Sequence, residues 1–208
     1  EHIIYDVNGP RANVIMNRPD SLNGITNQMM RELYDALNRV ALDQTVRAVM
    51  FTGAGHGFCP GVDLKASTSG EAQEPNRKEY FHISTLLHEM PKVTVAAING
   101  ACAGAGFGWA CACDLRSATA RASFNTAFLG VAISGDMGGP WTLPRIVGAQ
   151  RARELFFMSE KFKADVAEEL GLVARTFPDD TFRDEVDAIV DKIAAKAPLA
   201  IGEMKKNF

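Results

Sequence analysis

Hydrophobic residues recur at two different periods along the chain, and the change of period separates predicted strands from predicted helices. Between Pro91 and Gly100, the run from Val93 to Ile98 is wholly β-branched or small, which is typical of a strand buried on both faces. After Thr26, a suitable N-cap, apolar residues instead return at intervals of three and four. This spacing predicts an amphipathic helix whose inner face holds Met29, Met30, Leu33, Leu37, Val40 and Ala41.

The same reasoning predicts the other elements of the chain. The turn Asn8-Gly9-Pro10 separates two short extended runs and predicts an opening β-hairpin. Further strands are predicted at residues 46–51, 116–120, 123–125 and 173–176. A polar stretch at 66–77 is expected to be a mobile loop over the surface or over a pocket. Helices are predicted over residues 80–90, 149–158, 163–169 and 182–196, with another beginning at Pro198.

A glycine-rich turn follows the central strand. Gly104, Gly106 and Gly108 occupy every second position before an apolar helix, so a ligand could lie against the main chain and face the free N–H groups of the first helical turn. Alternatively, these glycines only let the helix pack closely on a sheet. Similar glycine-rich loops lie at 53–61, earlier in the chain, and at 135–139, later in the chain. The repeated order of strand, glycine loop and helix predicts a parallel or mixed sheet with helices outside, and a site where the loops converge.

Composition and charge narrow the possible partners. The chain has 208 residues, of which 47% are hydrophobic and 23% charged, and its formal net charge of -3 offers no basic surface for nucleic acid or an anionic membrane. No apolar run is long enough to cross a bilayer and no signal peptide is evident, so a cytoplasmic protein is expected. The four cysteines lack the spacing of metal ligands and are expected to be buried. Because the last predicted helix stops abruptly, we expect a C-terminal segment to be missing.

Two loops and one carboxylate carry the candidate chemistry. The loops around Val62 and Ala105 each follow a buried strand, and their N–H groups could converge on one carbonyl oxygen as an oxyanion hole. Asp136 lies in a glycine loop among aromatic and apolar residues, which should raise its pKa toward the working range of an acid or base. The competing interpretation is that Asp136 caps the helix that begins near Gly138.

Five segments together resemble the enoyl-CoA hydratase/isomerase (crotonase) family: FCPGVDLK at 58–65, AINGACAGAG at 97–106, CDL at 113–115, GG at 138–139 and LPRIVG at 143–148. The resemblance covers nearly the whole chain. It implies an α/β fold, a crotonase-like spiral of ββα units with peripheral C-terminal helices. The expected division is a spiral core at 1–148 and a helical C-terminal region, apparently incomplete, at 149–208.

The resemblance also implies a substrate and an assembly. The substrate would be an acyl-CoA thioester, with coenzyme A as part of the substrate, no separate cofactor and no metal, and the protein would form homotrimers or hexamers. The N–H groups of Val62 and Ala105 would form the oxyanion hole. The resemblance implies that coenzyme A lies along Leu22, Pro60, Asp63 and Leu64. Further candidates for substrate binding are Gly104 and Gly106 of the glycine turn, and Phe128 and Trp141 near Asp136.

The chain departs from the family pattern at two positions. Family hydratases carry two glutamates, and the matching positions here are Gly108 and Phe128, neither of which can move a proton. We therefore expect enoyl-CoA isomerisation with Asp136 as acid and base, and Gly108→Glu is expected to restore some hydration. Hydration by a non-standard route and a catalytically silent acyl-CoA-binding role remain alternatives. Dinucleotide binding is disfavoured because the glycine spacing is not GxGxxG.

Overall fold

The computed structural model describes residues 1–68 and 75–208. Its strands are β1 (Ile3–Asn8), β2 (Arg11–Met16), β3 (Ala48–Gly53), β4 (Gly57–Cys59), β5 (Val93–Ile98), β6 (Ala101–Ala103), β7 (Leu115–Thr119), β8 (Ser123–Asn125), β9 (Phe162–Lys163) and β10 (Arg175–Phe177). Its helices are α1 (Asn27–Leu42), α2 (Leu64–Thr68), α3 (Ile83–Glu89), α4 (Gly104–Ala112), α5 (Gly139–Val147), α6 (Ala149–Met158), α7 (Ala164–Glu169), α8 (Phe182–Ala194) and α9 (Pro198–Lys205).

The strands form two sheets. The first has the order β1-β2-β3-β5-β7-β10, in which β1 and β2 pair antiparallel and the other neighbours run parallel. The second has the order β4-β6-β8-β9, with an antiparallel pair at β8 and β9. Each of β3, β5 and β7 passes directly into a strand of the second sheet and then into helical structure. This repeat confirms the predicted spiral of ββα units.

Strands β3 and β5 are buried on both faces, as the unbroken apolar run of β5 predicted. On one face, Phe51 and Ile98 join the main core, which also receives every residue of α4. On the other face, Met50 and Val95 pack against Val186 and neighbouring apolar residues of α8. Helix α4 therefore lies in the interior, where Ala105 at its N-terminus lines one cavity and Cys111 near its C-terminal end lines another.

Side-chain amides hold the loops that leave the first sheet. The Nδ2 of Asn99 donates to the carbonyl oxygens of Gly53 at 2.8 Å and Gly55 at 2.9 Å, and the Nδ2 of Asn23 donates to that of Gly57 at 2.8 Å. Both asparagines are buried, so these bonds satisfy carbonyl groups that lack strand partners. The loops between the two sheets are thereby fixed to the strand ends.

Several local predictions are confirmed and others need correction. Thr26 caps α1, because its hydroxyl accepts a hydrogen bond from the backbone N–H of Met29 at 3.1 Å. The predicted loop at 66–77 is wrong at its start, since residues 66–68 belong to α2. Its centre, residues 69–74, lies outside the described residues. Among the described helices, none has both the length and the apolar character that a bilayer crossing demands.

The C-terminal region shares both sheets with the rest of the chain. Strand β9 extends the second sheet beside β8, and β10 extends the first sheet beside β7. Helix α7 contacts both of these strands, α8 packs against β3 and its neighbours in the first sheet, and α6 packs against α5. The division at residue 148 stays a prediction.

Candidate functional site

A cavity of about 360 Å³ lies at the point where the start of α1, the loop after β4, the start of α4 and the loop before α5 meet. Val62, Ala105 and Asp136 all line it, as does Asp63. These four residues come from three separate glycine-rich loops. The convergence of loops predicted from the strand, glycine loop and helix pattern is therefore found here.

The Val62 loop is fixed by a two-bond bridge to the residue before α1. The N–H of Ile25 donates to the Gly61 carbonyl at 2.9 Å, and the N–H of Asp63 donates to the Ile25 carbonyl at 3.0 Å. In a parallel bridge of this kind, the residue between the two bonds directs its own N–H and C=O away from its partner. The N–H of Val62 consequently points away from Ile25.

The same loop packs against the start of α4. Gly61 has φ +100°, and a Cβ placed there would lie 3.6 Å from the Ala105 nitrogen. Ala105 is the second residue of α4, so its N–H has no acceptor within the helix and lies at the positive end of the helix dipole. Val62 and Ala105 thus line the cavity from two segments packed against each other, and their N–H groups are candidate donors to an acceptor oxygen.

The Asp136 carboxyl is half-buried, and its Oδ1 is cut off from solvent. This oxygen has no hydrogen-bond partner within the described ranges, 1–68 and 75–208. Burial raises the pKa of the Asp136 carboxyl above its ordinary value. The helix-cap interpretation is wrong, because α5 has Gly138 at its N-cap and receives no capping bond from a side chain. The carboxyl is thus left to face the cavity.

Asp63 has the opposite environment. Its Oδ1 accepts hydrogen bonds from the backbone N–H groups of Lys65 at 3.1 Å and Ala66 at 3.0 Å, and its Oδ2 pairs with Arg18 at 2.9 Å. The Ala66 bond, followed by the Arg18 guanidinium, holds the pKa of this carboxyl below its ordinary value. Asp63 therefore stays ionised and fixes the start of α2. Two carboxylates with pKa values pushed apart are a common feature of acid–base sites.

No room exists at Gly108 for the glutamate that the sequence comparison suggested restoring. A Cβ at this position would lie 2.9 Å from the Met137 Cβ and 3.0 Å from the Met137 carbonyl oxygen. Because α4 is buried along its whole length, a longer side chain would displace the segment that carries Asp136. The expectation that Gly108→Glu restores hydration is therefore withdrawn.

Three residues predicted to bind substrate lie outside the lining of this cavity for identifiable reasons. Phe128 is buried and stacks on Phe156, with ring centroids 6.3 Å apart. A Cβ at Gly106 would meet the Cys59 carbonyl oxygen at 2.4 Å, so the absent side chain accommodates Cys59 rather than a ligand. Trp141 lines a separate cavity of about 610 Å³ near α9. The left-handed turn at Gly138 (φ +73°) separates it from Asp136.

The other predicted contacts lie around the cavity rather than in its lining. Leu22 and Leu64 are 46% and 61% exposed, and Pro60 is exposed as well. Gly104 (φ +52°) turns the chain into α4 just before Ala105. Leu22, Pro60 and Leu64 remain predicted contacts of the coenzyme A portion.

Sequence reasoning missed the apolar residues that line the cavity. Met30 projects from α1 and Phe81 lies just before α3, and both line it beside Ile25. Helical periodicity assigned Met30 to the core, which is also correct, since it is 3% exposed. No local signal distinguishes a core residue that borders a cavity from one that does not.

Together, the two sheets, the ββα turns and the cavity lined by Val62, Ala105 and Asp136 define an α/β protein of the ββα-spiral class. The family model described as Enoyl-CoA hydratase/isomerase matches residues 9–208. The chain belongs to the enoyl-CoA hydratase/isomerase family.

Similar proteins carry out several chemistries. The chain is 35% identical to 4-chlorobenzoyl coenzyme A dehalogenase-1 of Arthrobacter sp, over 99% of this chain and 76% of that protein. It is 31% identical to 1,2-epoxyphenylacetyl-CoA isomerase of Escherichia coli (strain K12), over 99% and 81%. The crystal structure of an enoyl-CoA hydratase from Bacillus anthracis superposes with a TM-score of 0.91 at 30% identity, covering 99% of this chain and 81% of that one.

Proposed function

We propose that this protein is an acyl-CoA-processing enzyme that stabilises a thioester enolate, and that its reaction is enoyl-CoA isomerisation. The observation that carries the proposal is the buried Oδ1 of Asp136, which no residue of 1–68 or 75–208 hydrogen-bonds, in a cavity that Val62 and Ala105 also line. Coenzyme A would enter as part of the substrate, and the reaction would need no other cofactor. Family membership supports the acyl-CoA substrate class.

In this mechanism, the thioester carbonyl oxygen accepts hydrogen bonds from the N–H groups of Val62 and Ala105. Negative charge moves onto this oxygen when a proton leaves the adjacent acyl chain, and fixed donors in a water-poor site stabilise that charge. Each such donor typically contributes about 3 kcal/mol to the transition state. The N-terminal end of α4 adds the favourable field of its helix dipole.

Asp136 then transfers the proton. Its ionised carboxylate removes a proton from one carbon of the acyl chain, and the protonated carboxyl returns it to another carbon of the delocalised enolate. The double bond moves, while the atoms and charge of the substrate are conserved. One carboxyl group is enough for this reaction.

Hydration by the route of family hydratases is disfavoured by the chain's own residues. The resemblance places the two hydratase glutamates at Gly108 and Phe128, and the second carboxylate in the cavity, Asp63, is engaged by Arg18 and the α2 backbone. Halide displacement, the chemistry named for the Arthrobacter relative, would require an electrophilic aryl thioester. A silent binding role gives no reason for burying the Asp136 Oδ1 without a hydrogen-bond partner among the described residues, at a cost in stability.

Isotope exchange tests the proposal against these alternatives. In heavy water, the protein is expected to place deuterium at the α and γ carbons of an enoyl-CoA as the double bond migrates, which mass spectrometry and NMR can locate. A product that has gained the elements of one D2O would instead support hydration. Absence of double-bond migration, of deuterium uptake and of water addition in a sample that binds the thioester would support the silent role.

Ligand-dependent melting tests the substrate class separately. An acyl-CoA at one hundred times its dissociation constant should stabilise the folded protein by about 2.7 kcal/mol. For a domain of this size, that corresponds to a rise in Tm of about 5–10 °C. NAD is the matched control, since it tests the dinucleotide interpretation of the Gly104–Gly108 turn. A shift with NAD and none with acyl-CoA would contradict the assignment.

The proposal includes a homotrimer or hexamer. Three apolar residues around the turn after β8 support it: Leu129, Val131 and Ile133 are 50%, 50% and 45% exposed, and such a patch suits a protein interface.

A further inference from the structure

The backbone that carries Asp136 is clamped between two helices. The hydroxyl of Ser84, the second residue of α3, donates to the Met137 carbonyl oxygen at 2.7 Å. On the other side, Gly108 of α4 lies so close that a Cβ there would be 3.0 Å from the same carbonyl oxygen. Ser84 is only 8% exposed, so water does not readily replace this bond.

The clamped segment has no strong conformational preference of its own. Asp136 and Met137 lie between Gly135 (φ +107°) and Gly138 (φ +73°), and glycines permit many other backbone conformations. Met137 itself has φ +47°, a left-handed conformation that costs free energy in a residue with a side chain. Such a conformation persists only where the surroundings impose it.

We propose that Ser84 is a positioning residue that holds the Asp136 carboxyl in the cavity through the Met137 carbonyl. This inference rests on the proposed function, in which Asp136 moves the proton. Without the hydroxyl, the Met137 carbonyl is left buried and unpaired, and the segment can relieve that cost by turning toward water. Since proton transfer needs heavy-atom contact at hydrogen-bond distance, a displacement of about 1 Å is enough to lower turnover as much as a hundredfold.

The first test is Ser84→Ala, with Thr52→Val as its control. Thr52 is similarly buried (5% exposed), and its hydroxyl donates to the Ala97 carbonyl at 2.7 Å, so this variant loses an equivalent bond in the sheet. We expect Ser84→Ala to lower kcat for isotope exchange about tenfold or more while KM for the acyl-CoA stays within about twofold. Thr52→Val should change both by less than about twofold. Equal kcat in the two variants would overturn the proposal.

The pH profile supplies a readout that a merely structural role would not move. A carboxyl that turns toward water loses the burial that raises its pKa, so the rising limb of the kcat profile should shift to lower pH in Ser84→Ala. Asp63, the other carboxyl in this cavity, pairs with Arg18, and its pKa is lowered. It therefore titrates at lower pH than Asp136 and does not produce this limb. An unshifted limb in a folded variant would contradict the proposal.

Gly108→Ala provides a second test if Ser84→Ala does not fold. Its added Cβ would crowd the same Met137 carbonyl from the side of α4. It should show the same combination of lower kcat, retained KM and shifted limb, and a parent-like profile would count against the clamp. Asp136→Asn distinguishes a failure of the proposed function from a failure of the role proposed for Ser84. If that variant keeps full exchange, the proposed function fails; if it loses exchange while Ser84→Ala and Gly108→Ala keep it, only the role of Ser84 fails.

Discussion

Asp136→Asn should lose isotope exchange by at least about a hundredfold while still binding acyl-CoA. The substitution keeps the size of the side chain but removes the group that titrates, and general acid–base catalysis contributes about 10²–10⁴ in rate. Binding should persist because the main-chain donors of Val62 and Ala105 are untouched. The measurement is deuterium incorporation at the α and γ carbons, with acyl-CoA affinity determined on the same sample.

The pH dependence of exchange and of stability provides a second, independent test of the role of Asp136. Burial raises the pKa of Asp136 in the folded protein, so exchange in the parent should rise with pH through a midpoint above that of an ordinary aspartate. The folded protein also holds this proton more tightly than the unfolded chain, so the free energy of unfolding falls as pH rises through the interval between the two pKa values. Asp136→Asn should therefore be more stable than the parent at neutral pH, and the difference should shrink on acidification.

The matched control for this substitution is Asp180→Asn, which removes an exposed carboxylate outside the cavity lining. It should keep the parent's exchange rate and pH profile. Equal exchange rates in the parent and in Asp136→Asn would mean that another group moves the proton.

Ala105→Pro should lower turnover by about a hundredfold or more, because it deletes one main-chain donor. Proline is accepted in the first turn of a helix, where the missing N–H has no intrahelical acceptor. Ala105 is the second residue of α4, so the helix itself can form. Turnover is measured by the same exchange assay, and circular dichroism checks the helix content.

Ala105→Gly is the matched control for the donor. It alters the same position but keeps the N–H, so its turnover should remain far above that of the proline variant. Its expected cost is about 0.5–1 kcal/mol of stability from the flexibility of glycine in a helix. A folded Ala105→Pro protein with the turnover of Ala105→Gly would remove this N–H from the site.

The central part of the fold was predictable because its pattern is strong over many residues. The β-branched run of β5 and the apolar run of α4 have no polar face, and burial on all sides is the physical condition that produces such runs. Strands β4 and β6 were not predicted, since each lies within a stretch whose glycines indicate a loop. Helix α2 was missed because its polar sequence gives no apolar face, and its start depends on the Asp63 cap.

The candidate catalytic residues could be predicted from the sequence more reliably than the apolar residues that line the cavity. Val62, Ala105 and Asp136 follow strands whose ends meet in space, so local sequence located them and the structure places all three around one cavity. Phe128 and Trp141 were grouped with Asp136 because they are near it in the chain. Their directions depend on how the turn at Gly138 sets α5, which proximity in sequence does not specify.

The four thiols of the protein have a practical consequence for handling it. Cys59, Cys102, Cys111 and Cys113 are all 4% exposed or less, and burial raises the pKa of each, to about 12 for Cys59. Thiolate is the reactive form, so alkylating reagents and mild oxidants act on these residues only after the chain opens. The rate of thiol labelling therefore measures how often the core opens, and no engineered probe is needed.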